Sequence, residues 1–373
     1  MSELHSIPAA IEAIRQGEII IVVDDEDREN EGDFLIAARH ATPDVVNFMA
    51  THGRGLICAP LLEARCDELD LHLMVERNNA TFETPFTVSV DLIGHGCTTG
   101  ISASDRAKTI QALINPLTRP EELGRPGHIF PLRAKAGGVL RRPGHTEAAV
   151  DFSRLAGFEP AGVIVEIMNE DGSMARLPEL IELAKEHNMK LVSISDLIAH
   201  RLEHESLVEP TGEVTLNTSF GNFQAISFNQ TTNDVDHIAL VKGSWTEGEP
   251  VPVRVHASTM VGDIFQVNDF GKGPLLHAAM KHMEHVGKGV VVYLNKSLPN
   301  DGMAAELAAY AKTNQHDGQQ YFNKLDSKDR GIGAQILRKV GVQNMTLLSN
   351  SSHALGDVGY GLSILEVLPL SVD

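Results

Sequence analysis

Apolar residues recur at Ile7, Ala10, Ile11 and Ile14 and stop before Gly17, the spacing of one buried helical face. Residues 19–23 (Ile-Ile-Ile-Val-Val) are then apolar without a break, as in a buried strand. A second strand is expected over 34–38, a helix from Thr42-Pro43 to Met49, and a short strand over 56–59. Residues 85–91 alternate with period two, as a half-buried strand should, and Ser104-Asp105 opens a helix carrying Ile110 and Leu113. Strands over 162–167 and 190–194 flank a helix over 178–187, and Ser195-Asp196 caps a helix running to about His204. This alternation defines an α/β (α+β) domain with a mixed sheet, though not its strand order.

Residues 206–213 lack periodicity and hold Pro210 and Gly212, so they are the expected linker between domains at 1–205 and 214–373. Beyond it, strands are expected at 214–217, 220–228, 237–241 and 252–256. Helices over 275–286, 304–312 and 333–339 follow, with strands at 290–294 and 345–348 between them. No internal repeat stands out.

Composition narrows the class. A chain of 373 residues with 42% hydrophobic and 22% charged residues is an ordinary globular protein of two domains. Its net charge of −19 argues against nucleic acid as a partner, because phosphate neutralisation needs a basic face. No apolar stretch approaches the ~20 residues needed to span a bilayer. The start, Met1-Ser2-Glu3-Leu4-His5, has no export signal. Cys58, Cys66 and Cys97 have no CxxC spacing and fit reduced thiols in a cytoplasm.

The chemistry concentrates in Asp24-Asp25-Glu26-Asp27-Arg28-Glu29-Asn30-Glu31-Gly32-Asp33, where seven carboxylates surround one arginine directly after the first strand. So many like charges raise one another's pKa unless a cation offsets them. The cation could be an oxygen-preferring ion such as Mg²⁺ or Mn²⁺, and Arg28 adds a fork suited to phosphate or carboxylate. The bland alternative is a solvated acidic turn. An EF-hand is excluded, since Gly32 as its glycine would put Ala38 where the bidentate Glu belongs. Two further segments, Gly124-Arg125-Pro126-Gly127-His128 and Arg142-Pro143-Gly144-His145-Thr146-Glu147, each set a histidine beside an arginine in an irregular stretch. Arg142 and the Thr146 hydroxyl, near amides at a helix start, would suit a phosphate. Glu166 lies within an apolar strand, where a carboxylate needs a partner or works as a general acid or base.

The stretches DDEDRENEGD, TTGISASDR (98–106), RPGHIFPLRA (125–134), RPGHTEAAVD (142–151) and NEDGSMAR (169–176) together resemble 3,4-dihydroxy-2-butanone 4-phosphate synthase. The resemblance covers about residues 5–205. It implies a lyase of riboflavin biosynthesis that converts D-ribulose 5-phosphate to L-3,4-dihydroxy-2-butanone 4-phosphate and formate with Mg²⁺ or Mn²⁺. It also implies a homodimer with interfacial active sites. Glu29 and His145 would be the metal ligands; Arg28, Glu29, Asp33, Arg142, Thr146 and Glu166 would bind substrate; His128 and Glu166 would form the catalytic acid–base pair. Glu31, Cys58 and Asp105 lie in matching motifs and take supporting roles.

The second half resembles GTP cyclohydrolase II through residues 236–243, 253–256, 262–265, 289–294 and 331–337. The three cysteines with which that family holds zinc are replaced by Thr259, Phe270 and Lys272, so no zinc is expected there. The family's glycine-rich segment is replaced by residues 295–300, and its Asp-x-Arg reads Asp326-Ser327-Lys328. The expectation is an α/β cyclohydrolase II-like domain without that activity. The alternatives are a different metal-dependent sugar-phosphate lyase or isomerase, a bifunctional riboflavin enzyme, and a non-catalytic metal- or nucleotide-binding regulator.

Overall fold

The computed structural model describes residues 4–25, 28–80, 82, 84–232, 235–267, 272–295, 307, 311, 327–351, 355–357 and 360–371. Glu26, Asp27, Phe270, residues 296–300, most of the helix expected over 304–312, and Asp326 lie outside the described residues, as do the side chains of Lys272, Ser327 and Lys328. The chain divides into two compact units, residues 1–201 and 202–373.

The first unit is built on a seven-stranded mixed sheet in the order β4-β5-β3-β6-β2-β1-β7. Its strands are β1 (Ile20–Val23), β2 (Gly32–Ala37), β3 (Cys58–Leu62), β4 (Val90–Leu92), β5 (Leu123–Ala134), β6 (Gly162–Glu166) and β7 (Lys190–Ser193). The unbroken apolar runs have a simple cause: side chains alternate between faces, and both faces are covered. Ile21, Phe34, Ile36, Val163 and Val165 enter one core, packed with helices α2 (Pro43–His52), the short α3 (Glu63–Glu68) and α4 (Ala103–Ile114). Ile20, Val22, Leu35, Ala37 and Ile164 enter the other, packed with α1 (Ile7–Arg15) and α5 (His145–Leu155). Gly162 lets α5 sit close to the sheet, since a Cβ there would lie 2.7 Å from Ala149 Cβ.

Local signals set the helix ends. Thr42 caps α2 by accepting the Val45 N–H. Ser102, two residues before the expected start, caps α4 through Asp105 N–H at 3.0 Å. Ser193, not Ser195, accepts the Asp196 N–H at the start of the final helix, Ile194–His204.

Three expectations are corrected. Of residues 85–91 only the end joins β4; the rest makes single bridges at Phe86 and Thr87, because its hydrogen bonds go alternately to His72 and Pro131. Residues 124–128 are not irregular but part of β5, whose two prolines and two glycines hide its period from the sequence. The expected linker is mostly strand: Val208–Thr218 pairs along its length with Gly221–Gln230. It lies at the edge of the second unit's sheet, where proline is tolerated, and the register shifts between Pro210 and Gly212.

The second unit holds an eight-stranded sheet, antiparallel on the side of Val208–Thr218 and parallel through Pro250–Ala257, Gly289–Leu294, Asn344–Leu348 and Ser363–Leu368. Helix Lys272–Val286 covers one face with Leu276, Ala279, Met280 and Met283.

Candidate active site

The α5-side core ends in acid. Leu35 and Ile164 are apolar and pair across β2 and β6, but two residues on, the same face carries Asp33 opposite Glu166. Like charges directly opposite are unfavourable. Burial, and then Glu166, Glu29 and Glu31, push the Asp33 carboxyl up to about 7 although His145 pulls the other way. Glu166 is the last residue of its strand and half-buried, and it accepts the Leu56 N–H at 2.8 Å. Gly55 leaves room for it, since a Cβ would stand 2.5 Å from Glu166 Oε2. Among the described residues no arginine pairs with it.

Residues 28–33 of the acidic run fold back on Asp24 rather than forming a solvated turn. Asp24 organises it: Oδ1 accepts Glu31 N–H at 2.8 Å, and Oδ2 accepts Glu29 N–H at 3.1 Å and the Arg28 guanidinium at 2.8 Å. Arg28 also grips Glu29 at 2.6 and 3.1 Å and lies over the Phe82 ring. Burial pushes Glu29 up, yet His145 and Arg28 outweigh it and hold the carboxyl below its ordinary range. Glu31 is raised by burial and by Glu29.

His145, buried at the first turn of α5, meets this loop. Its Nε2 lies 3.1 Å from Val22 O, a carbonyl that can only accept, so Nε2 carries a hydrogen. Nδ1 then faces Glu29 Oε2 at 3.8 Å and Asp33 Oδ1 at 3.9 Å. Burial lowers the imidazole's pKa, but Asp33, Glu29 and Asp24 raise it to about 9. Asp24, Glu29 and His145 bring one ligand atom each to within 4.8 Å of one another. Two donors about 2.1 Å from one ion stand at most ~4.2 Å apart, so Glu29 and His145 are close enough to share a hard dication. The carbonyl behind Nε2 is the support that metal-ligating histidines usually have, and an ion there would displace the Nδ1 proton. Cys58, buried on the same face, has its thiol pushed well up by burial and by Glu166 and Asp33, so it is no thiolate.

Beside the carboxylates is a cradle for an anion. Gly144 precedes α5, and among the described residues no side chain caps the helix, leaving its first amides open to an anion. A Cβ on Gly144 would lie 2.4 Å from Arg142 Nη1 and 3.2 Å from Arg28 Nη2, so both guanidinium groups crowd that helix start. Arg142 is fixed by buried Glu147 at 2.8 Å and by Phe82 O at 3.0 Å. Thr146 is buried in the same turn.

His128 stands apart. Two residues further along the same strand, Phe130 aligns with Cys58, which in turn aligns with Ile164. His128 and Glu166 are therefore level but two strand spacings apart, about 10 Å between backbones. They are not hydrogen-bonded to each other as an acid–base pair would suggest: Glu166 bonds Leu56, and His128 bonds Asp91 at 2.7 Å through Nδ1. Asp105 gathers the neighbouring loop by accepting from Thr98 and Gly100. Sequence reading missed Asp24 and Asp91 as individuals. Asp24's position immediately after an apolar strand was the available signal; Asp91 had none.

A family model described as 3,4-dihydroxy-2-butanone 4-phosphate synthase matches residues 8–200, and one described as GTP cyclohydrolase II matches residues 209–369. Riboflavin biosynthesis protein RibBA of Cytophaga hutchinsonii is 56% identical over 99% of this chain and 93% of its own length. The protein of the same name from Bacillus cereus (strain ATCC 14579) is 48% identical over 99% and 94%. RibBX, a two domain 3,4-dihydroxy-2-butanone 4-phosphate synthase from A. baumannii, superposes with a TM-score of 0.76 at 40% identity, covering 98% of this chain and 99% of that one. A 3,4-dihydroxy-2-butanone 4-phosphate synthase in complex with two magnesium ions matches with a TM-score of 0.52 at 44% identity, over 54% of this chain and 98% of its own. The chain belongs to the 3,4-dihydroxy-2-butanone 4-phosphate synthase family. Within that family it is of the two-domain kind, a riboflavin-biosynthesis enzyme whose synthase domain is followed by a GTP cyclohydrolase II domain.

Proposed function

We propose that Glu29 and His145 hold Mg²⁺ or Mn²⁺ while the first unit converts D-ribulose 5-phosphate to L-3,4-dihydroxy-2-butanone 4-phosphate and formate. The observation that carries this reading is the approach of Glu29 to His145, 3.8 Å, beside a helix start crowded by two guanidinium groups. A dication supplies neutralisation of charge on the substrate's adjacent oxygens. The phosphate is held by Arg28, Arg142, Thr146 and the open amides of α5. Asp33 and Glu166 accept hydrogen bonds from the sugar hydroxyls. Glu166 and His128 act on opposite sides of the substrate, each moving protons as the ketose is enolised, dehydrated and rearranged. Purified protein given D-ribulose 5-phosphate should release formate, lose that activity in EDTA and regain it with Mg²⁺ or Mn²⁺. Full turnover in EDTA would reject the metal assignment.

The separation of His128 from the carboxylates also favours a homodimer with shared sites. Support comes from apolar residues beside the Asp91–His128 pair, notably Ile93 and Ile101, each more than half exposed. Co-assembled Glu29→Gln and His128→Ala subunits should recover activity that neither parent has; no recovery would assign each site to one subunit. The free thiols of Cys58, Cys66 and Cys97 support a cytoplasmic setting.

For the second unit the competing reading is GTP cyclohydrolase II activity, favoured by the family match over residues 209–369. We propose that this activity is absent. No cysteine occurs beyond Cys97, and the Thr259 hydroxyl is engaged with the Gly262 N–H at 2.9 Å. Incubation with GTP and Zn²⁺ should yield no formate above background. Turnover in the ordinary enzymic range of ~1–10³ s⁻¹ would overturn this.

A further inference from the structure

We infer that Asp91 is the positioning residue for His128, holding its ring in one tautomer with the hydrogen on Nδ1 and the lone pair on Nε2. The inference rests on the reading of His128 as an acid–base group. Asp91 is the middle residue of β4, and both its oxygens serve one neighbour. Oδ1 accepts the His128 backbone N–H at 2.8 Å, and Oδ2 meets ring Nδ1 at 2.7 Å. An ionised carboxylate only accepts, so the ring hydrogen belongs on Nδ1. Two-point attachment, one bond to the backbone and one to the ring, fixes where the ring points.

The surroundings close tightly on this pair. A Cβ at Gly100 would stand 2.0 Å from Asp91 Oδ2 and 2.7 Å from His128 Nδ1, and the residue's φ of +89° favours glycine independently. A Cβ at Gly127 would lie 2.0 Å from the Val90 carbonyl carbon, so β5 is pressed onto β4 beside the pair. Asp105 pins the covering loop through Thr98 N–H at 3.0 Å and Gly100 N–H at 3.1 Å. Yet the His128 side chain remains 43% exposed, and its Nε2 has no hydrogen-bond partner among the described residues. A pair fixed so firmly beneath an open nitrogen is arranged for a molecule outside the core.

The chemistry follows. Nε2 takes a proton from the substrate, whose bonding electron pair stays on the substrate, and the ring becomes imidazolium. The Asp91 carboxylate offsets that charge until Nε2 returns the proton in a later step, leaving the enzyme unchanged.

Asp91→Asn tests this with little change of shape. Its amide oxygen still accepts the His128 N–H, while its NH₂ donates to Nδ1 and drives the ring hydrogen to Nε2. We expect kcat to fall about 10²–10³-fold with KM within about threefold, and the ¹⁵N signals of His128 to exchange their protonated nitrogen. The inference is overturned by a kcat within threefold of wild type, or by a loss that merely tracks unfolded protein in circular dichroism. It is also overturned if the neutral ring of the wild-type enzyme carries its hydrogen on Nε2, a measurement that needs no variant. His128→Ala separates the two layers: if it retains turnover, the acid–base reading itself falls. If it is inactive while Asp91→Asn is fully active, only the role of Asp91 falls.

Discussion

Glu29→Gln should lower kcat/KM for formate release from D-ribulose 5-phosphate by about 10³-fold or more, a loss of ~4 kcal/mol in transition-state stabilisation. The substitution keeps the shape and one acceptor oxygen, so Arg28 can still bind it; what disappears is the charge. That charge faces His145 Nδ1 at 3.8 Å and is already held in its ionised form by His145 and Arg28 against the effect of burial. A neutral amide is a poor ligand for a hard dication beside an imidazole. Circular dichroism should be unchanged, because the loop is organised by Asp24 rather than by the Glu29 side chain. Activity within tenfold of wild type, with EDTA sensitivity intact, would mean that the ion is held elsewhere.

The largest effect on stability is expected from Arg201→Met, at about 3–5 kcal/mol, since it strands a buried carboxylate. The Asp151 and Arg201 side chains are 3% and 5% exposed and meet at 2.7 Å. Asp151 also accepts the Val139 N–H at 2.8 Å, and Arg201 donates to Gly137 O at 2.8 Å. The pair thereby ties the last helix of the unit to the turn that delivers Arg142 to the anion cradle. Burial raises the Asp151 pKa and the Arg201 guanidinium opposes that; without it the carboxyl keeps only the Val139 N–H and the half-exposed Arg154 at 3.8 Å. The melting midpoint of the first unit should drop by roughly 10 °C. Asp151→Asn added to Arg201→Met should recover part of the loss, because a neutral amide tolerates burial better. A midpoint unchanged by Arg201→Met would show that the pair adds nothing.

Most of the first unit was legible because its strands are covered on both faces. Ile20–Val23 reads as a continuous apolar run and Gly162–Glu166 as one broken only by its final carboxylate, and the helices between them carry clear apolar periods. What escaped was structure without a period. In β5, Pro126 and Pro131 break the alternation, and partners supplied by Cys58–Leu62 make it a strand, which no local window contains. The candidate site divides the same way. Arg28, Glu29, Asp33, Arg142, His145 and Thr146 carry their chemistry in compact motifs and meet at one end of the sheet. Asp91 carries none in its own neighbourhood; its meaning lies in a histidine 37 residues away. Asp24 was lost among seven similar carboxylates until the backbone showed which one the loop folds around.

The strand Val208–Thr218 runs along the rim of the second unit's sheet, with most of its residues open to water. A rim that long, bearing unpaired backbone groups, is a template on which another chain could add itself and begin an aggregate. Glu209, Pro210 and Glu213 blunt it, two by repulsion and one by withholding a donor. The segment that looked like a tether is therefore also a guard that keeps neighbouring copies of the enzyme from stacking edge to edge.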